Sequence, residues 1–221
     1  MAIGDIIVGM DIGTSKVSIV IGEVNNFNQI EVIYTDSQKC RGIKKGKIID
    51  EDEIVLAVTK LIKNAEIDAN LTINSTYITI PGKYVTIVQN SILKDAKDRY
   101  AGISMKDVSA SIMQVSDIDI PEGKQIIDIV TDRFILENGR IVQDPVGSLS
   151  SSFTLKAQII LADKEYIKKI TNILKRAYIE IDGLVPVTLA ERCIALDSNE
   201  LGDNIMPVSY THLRAHETVL D

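Results

Sequence analysis

Residues Ile6–Glu23 read IIVGMDIGTSKVSIVIGE, and no other stretch restricts the possible folds as strongly. Two apolar, β-branched runs, Ile6–Met10 and Val17–Ile21, flank the polar turn Asp11-Ile12-Gly13-Thr14-Ser15-Lys16. Runs of that length on either side of a glycine-bearing turn predict a β-hairpin. The turn gathers a carboxylate, a glycine, hydroxyls and a lysine. Glycine lets backbone approach a ligand closely. Successive backbone N–H groups in such a turn can cradle a phosphate, with Thr14 and Ser15 as hydroxyl donors and Lys16 as a positive point charge. Asp11 stands where a carboxylate could hold a hydrated Mg2+, an ion that keeps several of its waters. A solvated hairpin turn accounts for the same residues without any ligand. Neither G-x-x-x-x-G-K-[ST] nor a strand followed by G-x-G-x-x-G occurs.

The D-x-G-[ST]-[ST]-K pattern between two strands resembles the first phosphate loop of the actin, Hsp70 and sugar-kinase superfamily. The 221 residues suffice for one large or two small domains with a sizeable core. A net charge of −7 argues against broad nucleic-acid binding, and the absence of Trp argues against base-stacking platforms. Cys40 and Cys193 lack metal-ligand spacing and read as buried or half-buried thiols. Asp5 and Asp11 interrupt the early apolar run, so no signal peptide is expected. No apolar stretch reaches membrane-spanning length. The expected compartment is the cytoplasm.

Further along, Gln29–Thr35 reads as a third strand, followed by a basic stretch with Lys39, Arg41, Lys44, Lys45 and Lys47. Those cations suit a solvated loop on an acidic protein better than a nucleic-acid patch. Asp50 and Glu53 have N-cap and N3 spacing, and Ile54, Val58, Leu61, Ile62 and Ala65 share one face of a helix over 51–66. Thr76–Ile80 reads as a strand stopped by Pro81-Gly82. The resulting βββαβ order opens an actin-like lobe, and by pattern alone also suits other α/β folds. Beyond Gly82 come a strand at Tyr84–Asn90, an amphipathic helix from Ser104 through Val115, strands at Gln125–Val130 and Arg133–Leu136, and Asn138-Gly139, a type I′ turn signal. A loop through Asp144–Gly147 and several serines leads into a strand at Phe153–Leu161. Residues 83–162 read as an inserted small α+β subdomain. Asp163 caps a third helix, Ile179–Leu184 forms a further strand, and Pro186 opens a last helix at its N1 position.

Taken together, the chain resembles the N-terminal half of the FtsA family of actin-like bacterial cell-division proteins, from about Asp5 to about Met206. The resemblance rests on Asp11–Lys16, on Arg41-Gly42-Ile43 with Gly46 and Ile48-Ile49-Asp50, and on Ile78-Thr79-Ile80-Pro81-Gly82. Within the insertion it rests on Ile126–Val130, Phe134-Ile135, Asp144-Pro145-Val146-Gly147 and the Leu155 strand. It implies an α/β fold: an actin-like (ribonuclease H-like) lobe with an inserted SHS2 or 1C subdomain, the family's second lobe being missing from this sequence. Residues 1–82 and 163–207 would form subdomain 1A, and 83–162 the insertion. It further implies ATP and Mg2+ as ligands, with Gly13, Thr14, Ser15 and Lys16 on the phosphates and Asp11 near the metal, and at most weak ATP hydrolysis. Implied partners are FtsZ, later division proteins, other copies of the protein in filaments, and the cytoplasmic membrane, reached through a C-terminal helix absent here. The implied location is the cytoplasmic face of the cell membrane at the division site. The chain departs from the family at Val185, where an acidic residue is usual, and in the Ser148–Ser152 run, where the family bears glycine and arginine.

A second phosphate loop, D-[IL]-G-G-G-T-[TS]-D, would be expected soon after Met206 and is absent. With one jaw of a two-lobed cleft, nucleotide affinity should be poor. Residues 208–221 instead resemble a translated sequencing adaptor and read as a non-native tail. They contain both histidines, His212 and His216, at a spacing that lacks the companions of a metal site. Two alternatives remain from the superfamily. A pilus-assembly scaffold shares the insertion. A kinase would need a catalytic carboxylate, for which Asp128 and Asp132 are candidates without supporting motifs.

Overall fold

The two apolar runs of the opening stretch become the centre of a sheet. In this computed structural model, which describes residues 2–97 and 101–195, β1 (Ile6–Ile12) and β2 (Lys16–Val24) pair antiparallel from Ile6 opposite Glu23 to Ile12 opposite Val17. β3 (Ile30–Lys39) pairs antiparallel with β2. Val8, Met10, Ile12, Val17, Ile19 and Ile21 are buried. Their neighbours Gly9, Asp11, Ser18 and Val20 therefore occupy the opposite face of the pleat.

The basic stretch forms a small hairpin, β4 (Ile43–Lys44) and β5 (Lys47–Ile48). Lys45 (φ 49°) and Gly46 (φ 68°) both take the left-handed region at its tip, as a two-residue type I′ connection requires. Just before it, Gly42 sits at a point of close approach. A Cβ there would stand 2.5 Å from both Asp50 O and Ile54 Cγ1. Its own carbonyl accepts from Ile49 N (2.8 Å) and Asp50 N (3.1 Å).

α1 (Glu51–Ala69) begins with Asp50 Oδ1 accepting from Glu53 N at 3.0 Å. The reciprocal half of the expected capping box is absent. Glu53 Oε1 accepts from Arg41 N at 2.6 Å instead, because Asp50 N is already engaged by Gly42. The helix extends past Glu66 to Ala69, where Asn70 (φ 51°) turns left-handed and donates its N–H to Glu66 O. Its buried stripe of Ile54, Ala57, Val58, Leu61, Ile62 and Ala65 packs against β2 and β3.

β6 (Ser75–Ile80) lies parallel beside β1. After α3 (Lys164–Arg176), β11 (Glu180–Pro186) lies parallel beside β6, and α4 (Val187–Ala195) follows. Pro186 closes β11 rather than opening the helix. Arg176 at the C-terminal end of α3 pairs with Asp52 and, at 4.0 Å, with Glu51 in the first turn of α1. Charges of those signs complement both helix dipoles, although exposed pairs contribute little stability.

The residues between β6 and α3 build a second sheet, ordered β7-β10-β8-β9 and antiparallel throughout: β7 (Val85–Asp95), β8 (Lys124–Leu136), β9 (Ile141–Val142) and β10 (Ser152–Asp163). α2 (Met105–Val115) packs on β7 and β10. Phe134, Leu136, Phe153, Leu155, Val108 and Val115 form the core, with the Phe134 and Phe153 rings tilted at 55° and 5.9 Å apart. The two runs expected at Gln125–Val130 and Arg133–Leu136 are one strand. Its register against β10 shifts where Lys156 faces Arg133 and Ala157 faces Thr131, so Asp132 is the extra residue of a bulge. The Asn138-Gly139 turn is not type I′, which needs two left-handed residues. Only Gly139 (φ 80°) is left-handed. Leu136 N donates to Arg140 O and Gly139 N to Leu136 O, giving a three-residue loop.

The fold divides into two compact units, one formed by the described residues up to Lys83 and from Lys168 on, the other by Tyr84–Ile167. The 208–221 tail with His212 and His216, and the end of the last helix near Asp197, lie outside the described residues.

Two measurements test the local chemistry. Gly42→Ala forces backbone apart at a site with no slack, and should lower stability by about 1–3 kcal/mol in urea unfolding. In α2, Ser104 Oγ accepts from Asp107 N (3.3 Å) while Asp107 Oδ2 accepts from Ser104 N (3.0 Å). Bonds from the Ser104 hydroxyl and N–H hold the buried Asp107 carboxyl below its ordinary range, against the upward push of desolvation. A depressed carboxyl stabilises the fold above its unfolded pKa of about 4 and stops doing so as pH falls through the lower folded value. Asp107→Asn should therefore weaken α2 at neutral pH, and the deficit should shrink below about pH 4, read by amide hydrogen exchange in α2.

Candidate functional site

In the sheet ordered β11-β6-β1-β2-β3, strands β11, β6 and β1 are mutually parallel. Their carboxyl ends share one edge, and the β1–β2 turn projects from it. Ligands of open α/β sheets collect outside such an edge. Gly13 N donates to Lys16 O at 2.9 Å and closes the turn. Cys40 N donates to Ser15 O at 3.1 Å and ties the turn to the chain leaving β3. Thr14, Ser15 and Lys16 are exposed and Gly13 is half-buried.

Asp11 is held from the neighbouring strand. The parallel register of Gly9 with Tyr77 and Met10 with Ile78 carries Thr79 alongside, and Thr79 Oγ1 donates to Asp11 Oδ1 at 2.5 Å. The other oxygen, Oδ2, lies over Gly13. A Cβ on Gly13 would stand 3.3 Å from it and 3.2 Å from Lys16 O. A methyl group there would press on both the carboxylate and the backbone of the turn. This gives Gly13 a steric reason to be glycine, since it keeps Asp11 close to the amides. One carboxylate with a free oxygen, exposed to water, suits a hydrated Mg2+ held through its waters. No three His, Cys, Asp or Glu residues among the described ones converge to bind a metal directly.

The register extends the polar face across the sheet. Val185, Thr79, Asp11, Ser18 and Ser37 stand in one row through successive pairings. One step nearer the rim, Lys16 stands opposite Lys39. The five residues expected from the sequence, Asp11, Gly13, Thr14, Ser15 and Lys16, thus lie in one turn at one edge. Thr79 and Lys39 were not among them. Alternation marks Thr79 as opposite in face to buried Ile78 and Ile80, but only register places it beside Asp11.

Asp128 and Asp132 belong to the other unit and are engaged locally: Asp128 Oδ1 accepts from Ile129 N at 2.7 Å, and Asp132 pairs with Arg133 at 2.8 Å. Cys40 is fully buried. Desolvation pushes its thiol pKa up, partly offset by a bond from Gly42 N at 3.4 Å, so it is a packing residue rather than a nucleophile.

A family model described as the SHS2 domain inserted in FTSA matches residues 82–161. The cell division protein FtsA of Pseudomonas aeruginosa is 25% identical over 201 residues, covering 90% of this chain and 48% of that protein. FtsA of Bacillus subtilis is 24% identical over 196 residues, covering 89% and 44%. Most of the chain is similar to FtsA. Among solved structures, the PilM-PilN type IV pilus biogenesis complex aligns with a TM-score of 0.55 at 12% identity, over 81% of this chain and 47% of that one, a likeness of fold alone. The FtsA-like chain has the expected α/β architecture, and the SHS2 match falls on its second, antiparallel sheet. It spans about half the length of the curated FtsA relatives it matches. No helix among its described residues is long and apolar enough to cross a membrane.

Gly13→Ala should displace the Asp11 carboxylate. The expected result is a changed Asp11 side-chain carbonyl resonance and a changed Thr79 amide by NMR, with global stability altered by no more than about 3 kcal/mol. Unmoved Asp11 and Thr79 signals would show that the close approach has no consequence.

Proposed function

We propose that this chain is a nucleotide-binding lobe of an FtsA-type cell-division scaffold. The observation that supports the reading best is the turn itself. It leaves its hydroxyls and a lysine exposed at the carboxyl edge of parallel strands, beside an aspartate steadied by Thr79. Gly13, Thr14, Ser15 and Lys16 receive the phosphates of ATP, and Asp11 orients a hydrated Mg2+. The metal supplies charge neutralisation of the phosphates. Residues 1–82 and 163–207 form the lobe, and 83–162 an inserted interaction subdomain.

The whole protein then acts as a filament-forming tether. It joins FtsZ and later division proteins to the cytoplasmic face of the membrane, with ATP as a structural ligand and little turnover. In that setting the sheet edge is one wall of a two-lobed cleft. A pilus-assembly scaffold is the second reading, favoured by the fold likeness to the PilM-PilN complex. A neighbouring FtsZ gene or pilus operon distinguishes the two.

Titration of the isotope-labelled chain with MgATP into the millimolar range should shift the amides of 13–16. Lys16→Ala should weaken the response several-fold, and Thr14→Ala less so. Shifts elsewhere that ignore both substitutions would refute the reading.

A further inference from the structure

We infer that Lys39 is a second cation of the same phosphate site, acting with Lys16 on the polyanionic end of the nucleotide, an inference that rests on the nucleotide-binding reading above. The evidence is positional. Lys16 opens β2 and Lys39 closes β3, and the two are directly opposed in the antiparallel register. Opposed residues project from the same face with Cβ atoms about 5 Å apart. Val17 and Ile19 define the buried face, so the lysines stand on the face that also carries Ser18 and Asp11. The next pairing on the same face, two residues inward, places Ser37 opposite Ser18, so a hydroxyl pair continues the polar surface behind the lysine pair.

The chain segment is fixed as well as placed. Cys40, next to Lys39, donates its N–H to Ser15 O at 3.1 Å and has its side chain fully buried. The end of β3 is therefore attached directly to the turn, and Lys39 cannot drift from Lys16 without breaking that attachment.

Like charges directly opposed across strands repel and destabilise the pairing. Neither Lys16 nor Lys39 has a carboxylate partner among the described residues. Two exposed ammonium groups on four-carbon stems, anchored about 5 Å apart, can both reach an anion carrying more than one charge. That anion removes the repulsion which the empty pair suffers. The ligand class is a polyphosphate rather than a single carboxylate, because only a chain of charged oxygens engages both lysines together with the amides of Thr14 and Ser15.

This gives Lys39 a signature that a structural lysine lacks: it weakens the free protein and strengthens the bound one. Lys39→Ala in the full chain should leave the urea midpoint of the ligand-free protein unchanged or raised. It should weaken MgATP and tripolyphosphate binding about two- to fivefold, the range of exposed charge pairs, as read from the 13–16 amide shifts. Lys39→Arg should restore binding to within about twofold, and the difference between wild type and Lys39→Ala should shrink in high salt. Lys60→Ala, an exposed lysine on α1, removes the same net charge and should leave binding as it was.

Equal affinity of Lys39→Ala and wild type, with wild type still shifting 13–16, overturns the role of Lys39 and leaves the nucleotide reading intact. Equal weakening by Lys60→Ala reduces the effect to net charge and also overturns it. Absence of any response at 13–16 in wild type overturns both readings together.

Discussion

Everything at the candidate site depends on the double pairing of β1. One edge of that strand bonds antiparallel to β2, which fixes the turn, and the other bonds parallel to β6, which fixes Thr79. A strand flanked on both sides cannot slip by one residue without turning Val8, Met10 and Ile12 out of the core. The burial of those side chains therefore determines which way Asp11 faces. The site is held by hydrophobic register more than by its own polar contacts, since the Thr79 bond and the closing bond of the turn are both at the exposed rim.

Much of this was legible in the sequence, and the parts that were not share a cause. Apolar β-branched runs bounded by turn residues identified the opening hairpin and the strand at Thr76–Ile80, and apolar spacing identified α1, because those signals are local. The apolar stripe of α2 was legible for the same reason. What stayed hidden depended on partners distant in sequence. Glu53 has the spacing of a capping-box residue, yet its carboxylate serves Arg41 because Gly42 had already taken the amide of Asp50. The apparent gap between Val130 and Arg133 looked like a strand end. It is a bulge, visible only against the register of β10. Lys39 belonged to a basic run that composition alone made a solvated loop, and only its pairing with Lys16 gives it an address.

The glycines divide by mechanism. Gly139 is needed for a left-handed backbone, and its neighbour Asn138 is not, which is why a dipeptide that favours one turn type ended in another. Gly42 and Gly13 are needed for closeness, where a methyl group would meet a helix in one case and a carboxylate in the other. The same residue type thus marks a chain reversal, a packing contact and the turn of the candidate site, and sequence spacing separates these only in part.

The placement of β11 bears on how the protein reaches its native state. Its partner β6 ends before Tyr84, yet β11 begins only after α3, so Ser75 must wait for Glu180. The hairpins of β1, β2 and β3 close over short loops and can assemble early, whereas the β6–β11 pairing carries the loop-closure cost of the entire intervening unit. During synthesis the ribosome therefore releases a sheet whose β6 border is temporarily uncovered. Folding of the interposed antiparallel unit shortens the effective distance that this border must span before it is sealed.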